Sequence, residues 1–377
     1  MSEQHRTAYP PLSRDALRQV IEGRGHADRI PVLLQFWSNP GVFGDRSGEA
    51  AAIMAPYPQD AEVLGIRIPE VFDAPAEDPS YRWAWYDQPA DFASGGLDER
   101  VVIEDWDDFA QFAADFPDPH FPGAFPAMAG GENASVQSPE SAGKDAGGTA
   151  RAVQSGGERY RLGHWWYCLF ERHWQLRGME NALTDFYLYP EEVHRLYRLM
   201  TDFYKVLIRR GQAEWGLDGI FTSDDLGTQK GLFFSTDIFD EFFAPYYKEL
   251  FDTAHACGMH FWLHTCGGIK ELIPRFIELG LDVLHPIQKY TMDEREIAAE
   301  YGDKICIWSG FDVQRTIPYG TADDVRREVR YLYDTYYRPD GRLMFTAGNG
   351  LTGDCPLESL EALFDEAYRY GTEKCRG

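Results

Sequence analysis

The chain is poor in positive charge and has no long apolar run. Its 61 acidic residues outnumber 36 basic ones for a net charge of −25, a field that repels phosphate backbones and anionic lipid surfaces. Nucleic acid and membranes are therefore set aside as partners. No stretch approaches the roughly 20 apolar residues that cross a bilayer. The first residues also lack the basic-then-apolar pattern of a secretory signal. Cysteine is sparse: Cys168, Cys257, Cys266, Cys306, Cys355 and Cys375 lie scattered without close pairing. That excludes a disulfide framework and points to a reduced, cytoplasmic location. The chain has 377 residues, a length that alternating strand and helix barrels reach as one unit with insertions, so a single domain over 1–377 is expected.

What is present is a regular beat of strand and helix from about residue 188 onward, the pattern of parallel βα units. Val193, Leu196, Tyr197, Met200, Phe203, Tyr204 and Leu207 recur at helical spacing within Glu191 to Trp215, ahead of the strand-like Gly219 to Asp225. Ser235 or Thr236 opens a helix carrying Phe239, Phe242, Phe243, Tyr246, Leu250 and Phe251, and His260 to Cys266 follows as a strand. A helix through Leu279 and Gly280 leads to the strand Val283 to Gln288, and Thr291 to Glu294 has capping-box spacing. Ile305 to Gly310 and Leu343 to Thr346 read as further strands, and Asp354-Cys355-Pro356 starts the last helix.

The amino-terminal part is irregular. Arg29 to Phe36, Glu62 to Phe72 and Arg159 to Trp166 read as strands, and Tyr81 to Tyr86 as an aromatic hairpin. Gly130 to Gly157 is rich in Gly, Ser and Ala, so it cannot bury a core and is expected to be an exposed or disordered insertion.

Polar residues gather where these strands end. Asp224, Asp225, His264, Cys266, His285, Gln288, Asp312 and Asn349 all fall at or just past carboxyl ends, the face that carries the active site in a parallel α/β barrel. This placement points to an enzyme. Residues i and i+2 of a strand share a face, so His264 and Cys266 look the same way, and imidazole plus thiol suits zinc. Cys355, early in the last helix, is a candidate third ligand because a positive helix end favours thiolate. Asp224 or Asp225 with a water is the alternative. Only one of the two aspartates faces the barrel mouth, and Asp224 is favoured. Both are candidate catalytic residues, with Gln288, Asn349 and Asp312 as substrate contacts and Trp37 and Trp166 as an apolar wall for a ring or methyl ether.

Several of these segments resemble the uroporphyrinogen decarboxylase superfamily. They are Asp224-Asp225-Leu226-Gly227-Thr228-Gln229, His264-Thr265-Cys266-Gly267-Gly268 with Leu272-Ile273-Pro274 and Gly280-Leu281-Asp282, and Pro286-Ile287-Gln288. Gly310-Phe311-Asp312, Pro356-Leu357-Glu358-Ser359-Leu360 and, near the start, Asp28-Arg29-Ile30-Pro31-Val32 extend the likeness. It covers about residues 160 to 370 and implies a (β/α)8 TIM barrel. It also implies one of two chemistries: metal-free decarboxylation of a porphyrinogen, or zinc-dependent methyl transfer with a corrinoid protein or a small thiol.

Two departures bear on that choice. Decarboxylases of this type carry arginines after the first strand to grip substrate carboxylates, whereas this chain has Gln35-Phe36-Trp37-Ser38-Asn39-Pro40. The later cysteine of the methyltransferases is Asn349 here, with Cys355 six residues on. The expectation is therefore a zinc-dependent methyltransferase acting on a small molecule, with a corrinoid partner protein and with homodimer formation left open. A metal-free decarboxylase using Asp224 or Asp225 is the alternative, and an inert barrel that docks a corrinoid protein is a third reading.

Overall fold

The computed structural model describes residues 9–68, 101–114, 116–125 and 158–377. The hairpin expected at Tyr81 to Tyr86 and the insertion at Gly130 to Gly157 lie outside them. The strands are β1 (Ala61–Gly65), β2 (Tyr160–Trp165), β3 (Gly219–Ser223), β4 (Gly227–Thr228), β5 (Gly231–Leu232), β6 (His260–His264), β7 (Val283–His285), β8 (Cys306–Phe311) and β9 (Leu343–Ala347). Apart from the small β4–β5 hairpin they form one parallel sheet in the order β1-β2-β3-β6-β7-β8-β9. Val32 closes it: Phe345 N–H donates to Pro31 O at 2.8 Å and Leu33 N–H to Phe345 O at 3.0 Å, while Asp60 N–H donates to Val32 O at 3.1 Å. With Val32 as the eighth staff, the sheet is a (β/α)8 TIM barrel.

The helical periods follow the sequence pattern. Pro190–Trp215 buries Val193, Leu196, Tyr197, Met200, Phe203, Tyr204 and Leu207, and it stops at left-handed Gly216 with φ 61°. Helices Ala244–Ala256, Ile273–Leu279, Glu294–Tyr301, Ala322–Tyr336 and Leu357–Arg376 follow β3, β6, β7, β8 and β9 in the same manner. Inside the barrel large rings interdigitate: Trp308 lies 5.3 Å from both Trp262 and Phe221, and all three are fully buried.

Two local expectations change. Arg29 to Phe36 is not a full strand; it pairs at Val32 and then coils into the 3-10 turn Leu34–Trp37. That turn lays Phe36 and Trp37 across the barrel mouth. Thr291 is not the cap of Glu294–Tyr301, because Asp293 takes Arg295 N–H at 2.9 Å and Glu296 N–H at 3.0 Å. Among the described residues no helix is long and apolar enough to cross a membrane.

Barrel closure depends on one carboxylate. Asp60, fully buried, accepts from Leu12 N–H at 2.8 Å, Val32 N–H at 2.7 Å and both terminal nitrogens of buried Arg29. Asp60→Ala should lower unfolding free energy by about 3–5 kcal/mol, since a buried guanidinium is left unpaired. Arg29→Met with Asp60→Leu should cost clearly less, because no charge is stranded. Urea unfolding checks both; equal losses would show that the pair is not the closure.

Candidate active site

Three strand ends bring two imidazoles, a thiol and a carboxylate together. His285 Nε2 lies 3.0 Å from Ala347 O. A carbonyl only accepts, so this nitrogen carries the proton. The other nitrogen of a neutral His285, Nδ1, is then an acceptor, and His264 Nδ1 donates to it at 2.7 Å. His264 Nε2 is left with a bare lone pair, 3.3 Å from Cys266 Sγ and 3.5 Å from an Asp225 carboxylate oxygen. Burial holds both imidazoles below the usual range; the neighbouring His264 adds to the effect on His285, and the Asp225 charge only partly offsets it on His264. A second imidazole thus sets the tautomer that a metal-binding histidine needs.

The aspartates divide by alternation. Ser223 shares a face with Phe221, and the next residue on that face is Asp225. Asp225 accepts from Cys266 N–H at 2.7 Å and faces the site. Asp224 points the other way. It takes the N–H groups of Leu169, Phe170 and Glu171 at 3.0, 3.2 and 2.8 Å and the Tyr247 hydroxyl at 2.5 Å. It caps helix Phe170–Arg177, and burial pushes its carboxyl up to about 6 despite those donors. The preference for Asp224 at the mouth is corrected: strand register gives that place to Asp225.

Asp225, His264 and Cys266 form a group whose ligand atoms lie within 4.8 Å of one another. Cys355 is not in it. Its thiol donates to Pro356 O at 3.5 Å, and burial pushes it up to about 12, the opposite of the thiolate expected at a helix start. The helix begins only at Leu357, after the Pro356 cap, and Cys355 is enclosed before its dipole can act. Gln288 uses its side-chain oxygen on Gly267 N–H at 2.6 Å, which pins the turn after Cys266. Asn349 hydrogen-bonds the Cys266 thiol. Asp312 is committed to structure: it accepts from Gln314, Arg315 and Thr316 and from the Tyr290 hydroxyl, and these donors hold it below the ordinary carboxylate range although burial opposes them.

Trp37 stacks on His285 at 5.1 Å and lies 5.3 Å from His264, with Trp166 5.5 Å away. Sequence reasoning missed Glu171 and His164. Buried Glu171 accepts from the Ser223 hydroxyl at 2.5 Å, and its carboxyl is raised by burial and by the charges of Asp225 and Asp224. It projects from the first turn of a helix, where strand-end logic does not look. His164 sits near the end of β2, so the strand-end criterion that found the other residues would have found it.

The sequence model of the family described as uroporphyrinogen decarboxylase (URO-D) matches residues 174–370, more than half of the chain. The chain belongs to this family. No curated protein matches it. Among solved structures, a methyltransferase from Methanosarcina mazei is 15% identical with a TM-score of 0.46, covering 56% of this chain and 59% of its own. The intracellular xylanase of Thermoanaerobacterium saccharolyticum is 11% identical, TM-score 0.41, covering 95% and 99%. Xylanase B of Clostridium stercorarium is 10% identical, TM-score 0.39, covering 94% and 100%. The matched span contains Asp225, His264 and Cys266.

Burial holds His164 down to about 4, against 6.5 in an exposed chain. The unfolded state therefore gains a proton first as pH falls, and stability present at pH 7 is lost on acidification, by about 2 kcal/mol at pH 5. Asp224, raised rather than lowered, acts in the opposite sense, so a difference isolates the imidazole. The urea stability of wild type minus that of His164→Phe should shrink by about 2 kcal/mol from pH 7 to pH 5; an unchanged difference would place the proton elsewhere.

Proposed function

We propose that this URO-D family chain is a metal-dependent methyltransferase whose zinc ligands are Asp225, His264 and Cys266. The observation that carries the reading is the lone pair of His264 Nε2, set by the His285 and Ala347 relay toward a thiol and a carboxylate. Nitrogen, sulfur and oxygen donors in a set of three, with a place left for substrate, suit catalytic zinc. The electrostatics agree: burial first, and then the charges of Asp225 and Glu171, keep the Cys266 thiol well above its ordinary range. A cation offsets those charges. Zinc bound there supplies Lewis acidity that keeps an incoming thiol as thiolate, the nucleophile for a methyl group.

The chain's own residues have separable tasks. His285 and Ala347 O hold the His264 tautomer, Gln288 and Asn349 hold the Cys266 turn, and Trp37 and Trp166 exclude water beside the imidazoles. The methyl group moves between a small methylated substrate and a thiol or a corrinoid carried by a partner protein. Decarboxylation of a porphyrinogen is disfavoured on charge. Residues 35–40 carry no arginine, and the carboxylates of Asp225 and Glu171 would meet a polycarboxylate substrate.

Cys266→Ser and Asp225→Asn should each lower zinc retained after dialysis by tenfold or more, with loss of methyl transfer. Cys355→Ser should keep zinc. Asp224→Asn should keep zinc but lose about 1–3 kcal/mol of stability, because one of the two oxygens that take its four donors becomes an NH2 group that can only donate. Elemental analysis with urea unfolding reads all four. Zinc retained in Cys266→Ser, or carbon dioxide released from a porphyrinogen by metal-free wild type, would overturn the reading.

A further inference from the structure

Cys266 lies two residues past the end of β6, on the turn Cys266-Gly267-Gly268, while His264 is still on the strand. A ligand on a turn is placed less precisely than one on a strand unless its neighbours brace it. One side of the brace is the β4–β5 hairpin: Gly268 N–H donates to Thr228 O at 2.8 Å, and a Cβ on Gly267 would fall 2.2 Å from the Gly227 backbone. The other side is the connection after β7. Gly267 N–H donates to Gln288 Oε1 at 2.6 Å, and the Thr291 hydroxyl, with one proton for two acceptors, bridges Gln288 O at 2.8 Å and Gly267 O at 3.2 Å. Residues 288 and 291 thus grip both polar groups of Gly267.

Between those two grips sits a strained residue. Among the described residues three that are not glycine have left-handed backbone, Tyr167, Tyr290 and Arg342, with φ of 68°, 70° and 63°. Such backbone is unfavourable for a residue with a Cβ and persists where the surroundings fix it. Tyr290 is half exposed, so core packing does not demand its ring. The ring is tethered instead: its hydroxyl donates to Asp312 Oδ2 at 3.0 Å, and the Arg315 guanidinium stacks 4.2 Å from its centre, both from the connection after β8. Asp312 is itself fixed by three backbone N–H groups. Lys289 reaches the other way, to Glu328 and Glu294 on the helices Ala322–Tyr336 and Glu294–Tyr301. The loop is therefore tied outward at 289 and 290 and grips inward at 288 and 291, and the left-handed bend at Tyr290 turns the chain back so that both ends meet Gly267.

We propose that Tyr290 and Thr291 are positioning residues of this site: loop 288–291 is a bracket that holds Gly267 and, through it, sets the Cys266 thiol beside the free nitrogen of His264, 3.3 Å away. This deepens the methyltransferase reading by naming what presets its metal site, and rests on that reading only for the metal. Neighbours that orient a metal ligand are worth about ten- to hundredfold in metal affinity, because a thiol that is ordered only on binding weakens the binding.

The test uses the full chain and two readouts. Hydrogen exchange across residues 264–269 of the metal-free protein, read by mass spectrometry, reports on the turn. Titration with cobalt(II), whose thiolate absorption is lost in Cys266→Ser, reports on the metal. Tyr290→Phe keeps the ring and loses the Asp312 tether; Thr291→Val keeps the shape and loses the hydroxyl. Each is expected to speed exchange across 264–269 about fivefold or more and to weaken cobalt binding about tenfold, with the urea midpoint close to that of wild type. Thr291→Ser should restore both readouts. Tyr290→Gly relieves the backbone but removes the tether, so it too should loosen the turn. Tyr319→Ala, at a site 81% exposed on the connection after β8, should change neither. Unchanged exchange in Tyr290→Phe or in Thr291→Val, a rise spread over the whole chain, or a tighter turn in Tyr290→Gly overturns the proposal. Should Thr291→Val not fold, the two Tyr290 variants decide it. A wild-type chain that takes up no cobalt while exchange responds as expected upholds the bracket and sinks the metal.

Discussion

Everything at the mouth of this barrel depends on the Asp60 carboxylate closing the sheet. A parallel sheet of this length leaves two open edges, and here the first staff is short, pairing only at Val32. Backbone hydrogen bonds alone hold it weakly, so a side chain makes up the difference. Asp60 gathers Val32 N–H, Leu12 N–H and Arg29 at a fully buried point. The Coulomb gain of such a pair is largely cancelled by desolvation, so its effect is on geometry more than net stability. With Val32 fixed against Phe345, the turn Leu34–Trp37 has one place to go, and that place puts Trp37 on His285 and His264.

From there the site is assembled by accepting groups that have no freedom left. Ala347 O decides the proton on His285, His285 decides the proton on His264, and the free nitrogen of His264 faces Cys266 and Asp225. Burial reinforces each step, because a charged imidazole is disfavoured in an enclosed aromatic setting. Asp224 does the equivalent for the opposite wall. By holding the N–H groups of Leu169, Phe170 and Glu171 at the start of helix Phe170–Arg177 it fixes Glu171 beside Ser223. The same carboxylate cannot serve at the mouth, since its oxygens are already committed.

The barrel was legible from the carboxyl half, where helical and strand periods alternate cleanly and the Ser235 cap is as the pattern demands. It was less legible near the start, where the predicted strand Arg29 to Phe36 is one bridge and a turn. The composition of that segment is strand-like; what breaks it is the need to cross the barrel mouth. His264 and Cys266 were visible as a pair because alternation along one strand is a local rule. The choice between Asp224 and Asp225 needed the register of the strand end, and the exclusion of Cys355 needed the position of the last helix relative to the sheet.

Sequence alone determined the class of fold, the face on which the candidate site lies and the pairing of His264 with Cys266, because each follows from periodicities of 2.0 and 3.6 residues along one element. Tertiary structure decided the rest. His285 as the partner that sets the His264 proton, Asp225 as the neighbouring carboxylate and Glu171 behind it come from contacts between residues 21 to 62 positions apart. No local period encodes such contacts; they appear only once the sheet closes and fixes which strand ends are neighbours.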